Sequence, residues 1–113
     1  MSGAVTKANA ALIRAAQTGD LVGVKAALAL GADLESVDDD GRTALMLAAS
    51  SGQTDVVSLL LAAGADTEIT DKRGKTAREF AIEWAHPEIA EMLDRVRLRR
   101  EMEAEMGRET ARP

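Results

Sequence analysis

The sequence predicts an all-α fold, namely a solenoid of stacked helix-turn-helix units with a helical extension at the C-terminus. Three observations carry this prediction. Apolar residues recur at helical spacing in short segments that end at glycines, and these segments repeat along the chain. The composition is 46% hydrophobic but only 2% aromatic, so the core is built from small and aliphatic side chains that let helices approach closely.

The middle of the chain contains the clearest unit. Asp40-Gly41-Arg42-Thr43-Ala44-Leu45-Met46-Leu47-Ala48-Ala49 is followed by Gly52, then Val56–Leu61 and Gly64-Ala65-Asp66. This pattern predicts two short antiparallel helices joined by a tight turn and followed by a loop with β-turns. Because neither helix is long enough to be stable alone, the unit needs neighbours.

The chain supplies these neighbours by repeating itself. Gly41-Arg42-Thr43-Ala44 recurs 33 residues later as Gly74-Lys75-Thr76-Ala77. The same shift relates Gly31-Ala32-Asp33 to Gly64-Ala65-Asp66, and Gly19 to Gly52. A fixed period of this length is typical of a stacked helical array.

With this period and motif, the sequence resembles the ankyrin-repeat family over about residues 8–94. It departs from the family pattern at Ala44-Leu45-Met46, where the family usually has Pro-Leu-His. The resemblance implies an ankyrin-repeat domain over residues 6–94, with repeats at about 6–38, 39–71 and 72–94. Outside it, we predict a flexible N-terminus at 1–5, and a charged helix with a disordered tail at 95–113.

The first repeat has the features of a cap. Thr6 is the predicted N-cap of a helix that ends near Gln17, and Leu21–Leu30 forms the second helix, with Gly31 as its C-cap. Arg14 occupies the position that Leu47 has in the second repeat. A polar residue suits the outer side of a first repeat, because nothing stacks beyond it.

The other two repeats have recognisable helix starts. Thr43 caps the first helix of the second repeat, and Thr54-Asp55 begins its second helix. In the third repeat, the helices are predicted at Thr76–Ala85 and from Pro87 onward. Arg78 stands where the second repeat has Leu45, which indicates a terminal repeat.

The acidic run Asp38-Asp39-Asp40 has three interpretations: turn chemistry, contact with a basic partner, or a cation site. Aspartate side chains hydrogen-bond their own backbone in turns. A calcium loop would need alternating ligands and a closing glutamate, which the run lacks. Turn chemistry is the favoured interpretation.

The C-terminal segment carries two apolar stripes at helical spacing. The first contains Ile89, Met92, Leu93 and Val96, and the second contains Leu98, Met102 and Met106. Gly107 is the predicted end of the helix, and residues 108–113 are predicted to be disordered. The second stripe is consistent with a cap folded against the third repeat, with a self-association or partner-binding helix, or with a frayed tail.

Composition and charge limit the class of protein. The length predicts one domain, and the absence of cysteine excludes disulfides and thiolate chemistry. No apolar run approaches the length of a membrane span, and residues 1–10 lack the apolar centre of a signal peptide, so we predict a soluble cytoplasmic protein. The net charge of −5 argues against a nucleic-acid partner.

Residues 1–71 hold four basic and ten acidic residues, whereas residues 72–113 hold ten basic and nine acidic residues. One end of the array is therefore acidic and the other mixed.

The sequence contains no recognisable catalytic set. His86 is the only histidine, and its place before Pro87 favours a structural role at a helix start. Ser50 and Ser51 have no general base in the pattern, and the glycines follow the repeat without forming a phosphate-binding run. We predict no enzyme activity, no cofactor and no metal.

The family resemblance implies where a partner would bind. In ankyrin-repeat proteins, the loop tips and the exposed side of each first helix form a concave protein-binding surface. Placing that surface on this sequence selects Asp39, Asp40, Arg42, Met46, Ser50, Ser51, Lys72, Arg73, Lys75, Glu79, Glu83 and Trp84, with Gln17 and Thr18 as the first-repeat counterparts.

The resulting functional prediction is a non-enzymatic module that binds a partner protein, with inhibition or regulation of an enzyme as a special case. The alternative is a structural protein that forms a homodimer through its C-terminal helix. Trp84 is predicted either as an exposed anchor or as packing between the third repeat and the tail.

Overall fold

The structure is a computed structural model that describes residues 2–110 and, within them, the side chains of residues 6–107. It contains six helices in this range. They are α1 (Ser2–Thr18), α2 (Leu21–Ala29), α3 (Ala44–Ser50), α4 (Thr54–Ala62), α5 (Ala77–Glu83) and α6 (Pro87–Thr110).

The helices form three antiparallel pairs stacked side by side. The first helices α1, α3 and α5 pack in one row, and the second helices α2, α4 and α6 make a parallel row behind them. The described residues contain no β-strand, only an isolated antiparallel bridge between Val37 and Thr43. The predicted all-α stack is therefore confirmed.

Small side chains occupy the contacts between the rows. Ala16, Ala48, Ala49 and Ala81 are completely buried, and larger aliphatic residues such as Leu60 fill the space between the pairs. Alanine allows the helix backbones to approach closely. The space left between them is too small for large aromatic side chains, which explains why the chain contains so few of them.

The predicted cap of α3, Thr43, is confirmed, whereas Thr76, predicted as the first residue of α5, is instead its N-cap, and α5 ends at Glu83 before the predicted Ala85. The Thr43 hydroxyl accepts a hydrogen bond from the Met46 N–H at 3.2 Å. The Thr76 hydroxyl accepts one from the Glu79 N–H at 3.3 Å, and the Glu79 carboxylate accepts the Thr76 N–H at 3.1 Å. This reciprocal pair is a capping box, which satisfies N–H groups that have no partner inside the helix.

The structure corrects the predicted ends of the outer helices. Helix α1 begins at Ser2, upstream of the predicted cap Thr6, since residues 2–5 contain no proline and a threonine is tolerated inside a helix. Helix α6 continues through Gly107 to Thr110, since a single glycine weakens a helix without ending it. Of the segments predicted to be flexible or disordered, Met1 and residues 111–113 lie outside the described residues.

Helix α6 is both the second helix of the third repeat and the tail, with no break near residue 94. Ile89 and Leu93 are buried against the stack, as the first stripe predicts. Farther along, Arg100 donates hydrogen bonds to the carbonyl oxygens of Ala65 at 2.8 Å and Leu61 at 3.3 Å. These bonds hold α6 against the end of α4, so the helix is packed as a cap as far as Arg100.

Beyond the packed face of α6, the side chains of Leu98 and Met102 are more than half exposed. A homodimer through this stripe stays a prediction.

The tight turns inside the three helix pairs yield a first testable prediction. Gly19, Gly52 and Ala85 hold equivalent positions with φ of +79°, +73° and +61°, so Ala85 is the only one of the three with a side chain in the left-handed region. Such a conformation costs about 1–2 kcal/mol for an L-residue, and part of this is offset by the greater freedom of glycine in the unfolded chain. Ala85→Gly is therefore expected to raise the free energy of unfolding by about 0.5–1 kcal/mol, measured by urea denaturation.

Gly52→Ala is the reciprocal control for this prediction. A Cβ at Gly52 would lie 2.6 Å from Cε1 of His86 in addition to the unfavourable φ, so this variant is expected to lose stability. Unchanged or lower stability of Ala85→Gly would contradict the argument.

Candidate protein-binding surface

Two long loops connect the helix pairs, and an aspartate organises each of them. The Oδ1 atom of Asp38 accepts the N–H groups of Asp40 and Arg42, both at 2.9 Å. Asp71, 33 residues later, accepts the N–H groups of Arg73 and Lys75 in the same way at 2.9 Å. The favoured interpretation of the acidic run, turn chemistry, is thus confirmed for Asp38.

These bonds stabilise the charged form of both carboxylates. Burial raises the pKa of Asp71, but the hydrogen bonds from the Lys75 and Arg73 backbones and the nearby Arg73 guanidinium outweigh it, and the pKa is lowered from its ordinary value. The pKa of Asp38 is lowered by the same balance, with Arg42 as the neighbouring cation. Both groups are therefore ionised and hydrogen-bonded at neutral pH.

The two loops are also linked to each other. The Lys72 N–H donates to the carbonyl oxygen of Asp40 at 3.1 Å, which joins the loop tips directly. Arg42 forms ion pairs with Asp38 at 2.9 Å and with Asp40 at 3.2 Å. The backbone hydrogen bond therefore fixes the two tips relative to each other, and the ion pairs fix the Arg42 side chain between Asp38 and Asp40.

A hollow of about 380 Å³ lies between these loop tips and the end of α5. It brings together seven of the residues that the sequence predicts for protein binding. They are Asp40, Arg42, Ser50, Lys72, Arg73, Glu83 and Trp84. Lys75 joins the edge of this group, because its Nζ lies 3.1 Å from the Glu83 carboxylate.

Sequence reasoning missed two residues of the hollow, Asp71 and Phe80. Both are largely buried and contribute to its floor, and the Arg73 guanidinium lies 5.7 Å from the centre of the Phe80 ring. The 33-residue period relates Asp71 to Asp38 and Phe80 to the core residue Leu47, so it marks them as a turn residue and a core residue, and not as surface residues.

Trp84, the C-cap of α5, is 58% exposed and borders the hollow. Of the two predictions for this residue, its exposure agrees with the anchor and not with burial under the tail helix. A large amphipathic ring of this kind gives much contact area for little loss of side-chain freedom.

Three predicted site residues lie elsewhere. Met46 is only 1% exposed, so its prediction as a surface residue is wrong. The Thr43 N–H donates a hydrogen bond to its sulfur at 3.5 Å, and the neighbouring helices cover the side chain. Glu79 is occupied in the α5 capping box and borders a separate hollow beside α6. Ser51 is exposed at the C-cap of α3, outside the hollow around Trp84.

A second hollow, of about 500 Å³, lies between α1 and the first long loop. Asp39 and Gln17 border it, together with the half-buried Ile13 and the exposed Val37. Thr18 does not line it, and its hydroxyl donates to the Arg14 carbonyl oxygen at 3.1 Å. We call the two hollows and the loop tips between them the concave surface.

Comparison with protein families agrees with this architecture. The family described as ankyrin repeats, in three copies, matches residues 12–97. The chain therefore belongs to the ankyrin-repeat family, which implies a protein–protein interaction module. A comparison with curated proteins gives no match.

No helix in residues 2–110 has an apolar stretch long enough to cross a bilayer.

Proposed function

We propose that this chain is a non-enzymatic binding module that holds a partner protein on its concave surface, with Trp84 as the main anchor. The observation that carries the proposal is a tryptophan, 58% exposed, at the edge of a hollow lined by arginine and lysine. Tryptophan and arginine are the residue types that most often dominate the energetics of protein interfaces.

The rigidity of the surface supports the same function. The loop tips are joined by the hydrogen bond between Lys72 and Asp40, and the side chains of Arg42, Arg73 and Lys75 are each held by an ion pair. Little conformational freedom is left to lose on binding, so more of the contact energy contributes to affinity. If the bound partner is an enzyme, covering its surface would make the module an inhibitor or regulator.

Trp84→Ala tests the proposal. The variant is expected to weaken capture of a partner from extract of the source organism by at least about tenfold. Its melting temperature is expected to change little, because the side chain is 58% exposed. The measurement is an affinity pull-down with the immobilised chain, quantified by mass spectrometry, with circular dichroism melts of each variant.

Val22→Ala is the matched control. Val22 is 77% exposed on α2, in the row of helices that lies away from the concave surface. Its truncation is expected to leave capture unchanged. A protein captured equally well by the wild type and by Trp84→Ala would contradict the assignment of the anchor.

A further inference from the structure

We infer that the bound segment of the partner lies across the concave surface in one fixed direction, with a basic residue at the first loop tip and an acidic residue at the second. This inference rests on the proposed function and specifies the chemistry of the partner. It follows from the charges at equivalent positions of the two loops.

The two tips carry opposite charges. The 33-residue period relates Asp39 to Lys72 and Asp40 to Arg73, so an acidic tip is followed along the stack by a basic one. The hydrogen bond from the Lys72 N–H to the Asp40 carbonyl oxygen places these tips next to each other. A ligand on the concave surface therefore meets a reversal of charge between the two loops.

Most charges around the hollow are already neutralised within the chain. Asp40 pairs with Arg42, Arg73 lies 3.5 Å from Asp71, and Lys75 pairs with Glu83. Asp39 and Lys72 differ from these residues. Within the described part of the chain, both are exposed, and neither side chain forms a hydrogen bond or an ion pair.

At the two loop tips, these are the charges available to a partner. A basic side chain is attracted to Asp39 and an acidic one to Lys72, while the reversed arrangement places like charges together at both tips. Like-charge contacts select against the wrong orientation, so such a pair contributes mainly to specificity. The apolar anchor at Trp84 supplies affinity in either case, and the tip charges choose the direction.

Exchanging the two charges gives a stringent test. The double variant Asp39→Lys/Lys72→Asp has the same net charge as the wild type, and its substitutions remove no hydrogen bond or ion pair of either side chain. Arg14, which also borders the second hollow, is left unchanged. Melting curves of the two proteins are expected to coincide.

The probe is a phage-displayed library of random 12-residue peptides, selected separately on the wild type and on the charge-exchanged variant. Peptides that lose binding to Trp84→Ala define those at the concave surface. Among them, the wild type is expected to enrich a basic and an acidic residue at fixed spacing in one order, and the variant the reverse order. A synthetic peptide of the first set should bind the variant about tenfold more weakly, and its charge-reversed form should regain affinity.

The outcomes separate the inference from the function on which it rests. Trp84-dependent peptides that lack a charge pair, or that bind both proteins equally, would overturn the inference and leave the proposed function standing. Failure to enrich any Trp84-dependent peptide on the wild type would count against the concave surface as a binding site and hence against both.

Discussion

Met46→Ala is expected to lower the free energy of unfolding by about 2–4 kcal/mol, because truncation of a buried methionine removes apolar contacts and leaves a cavity. Met46 is 1% exposed on α3, the helix flanked by α1 and α5 in the row of first helices. Chemical denaturation of the purified chain measures the change. The effect on partner binding, compared at a temperature where the variant is folded, is expected to be small.

Glu79→Ala is the position-matched control, since Glu79 lies 33 residues after Met46 on α5. In the described residues, no further first helix packs on α5, so Glu79 is exposed and its contribution is limited to the capping box. Its truncation is expected to cost about 0.5–1 kcal/mol. Equal losses at the two positions would contradict the assignment of Met46 to the core.

Asp71→Ala is expected to destabilise the fold by about 2 kcal/mol at neutral pH, because it removes a buried acceptor of several hydrogen bonds. The side chain of Asp71 is 2% exposed, accepts the N–H groups of Arg73 and Lys75, and lies 3.5 Å from the Arg73 Nε. Urea denaturation of the variant and the wild type at pH 7 gives the difference directly.

The contribution of Asp71 depends on pH in a defined direction. Because its pKa is lowered in the folded state, the carboxylate stabilises the fold above the unfolded-state pKa of about 3.9. That stabilisation is lost as the pH falls through the lower folded-state pKa. The stability difference between the wild type and Asp71→Asn, which keeps an oxygen acceptor but not the charge, should therefore shrink below about pH 4.

Asp38→Ala provides the internal comparison for Asp71→Ala. Asp38 makes the same two backbone hydrogen bonds, but its side chain is 21% exposed, so water replaces the lost acceptor more easily. Its loss is expected to be about 1 kcal/mol. A difference between the wild type and Asp71→Asn that stays constant from pH 7 to pH 2 would refute the role assigned to the charge.

Much of the fold could be predicted because its signals are local. Thr43, Thr76 and Pro87 mark helix starts through hydrogen bonds or backbone angles that involve only the next few residues. The period then relates each unit to its neighbours. The same locality explains the errors at the ends, where Thr6 and Gly107 resemble helix boundaries but the flanking sequence continues the helix.

Seven of the residues predicted for the surface line the hollow around Trp84. The prediction failed at Met46 for an identifiable reason. Met46 and Glu79 are equivalent in the repeat, yet one is buried and the other exposed. Within the described residues, Met46 is covered by a neighbouring helix pair and Glu79 is not. The sequence immediately around each residue does not contain this information. Phe80 and Asp71 were missed because both are buried, whereas the predicted surface was chosen from positions expected to be exposed. In the folded chain they contribute to the floor of the hollow.

The period, the helix pairs, the turn at Asp38 and the family follow from the sequence alone, since each depends on spacing and on contacts between near neighbours in the chain. Three features are visible only in the folded chain: Met46 is buried, Trp84 is exposed, and Arg100 holds α6 against Leu61 and Ala65 of another repeat. These features depend on surfaces that meet after folding, between residues separated by 35 or more positions in the case of Arg100. Whether a side chain is covered or exposed depends on helices that are distant in the chain, and local spacing does not contain this information.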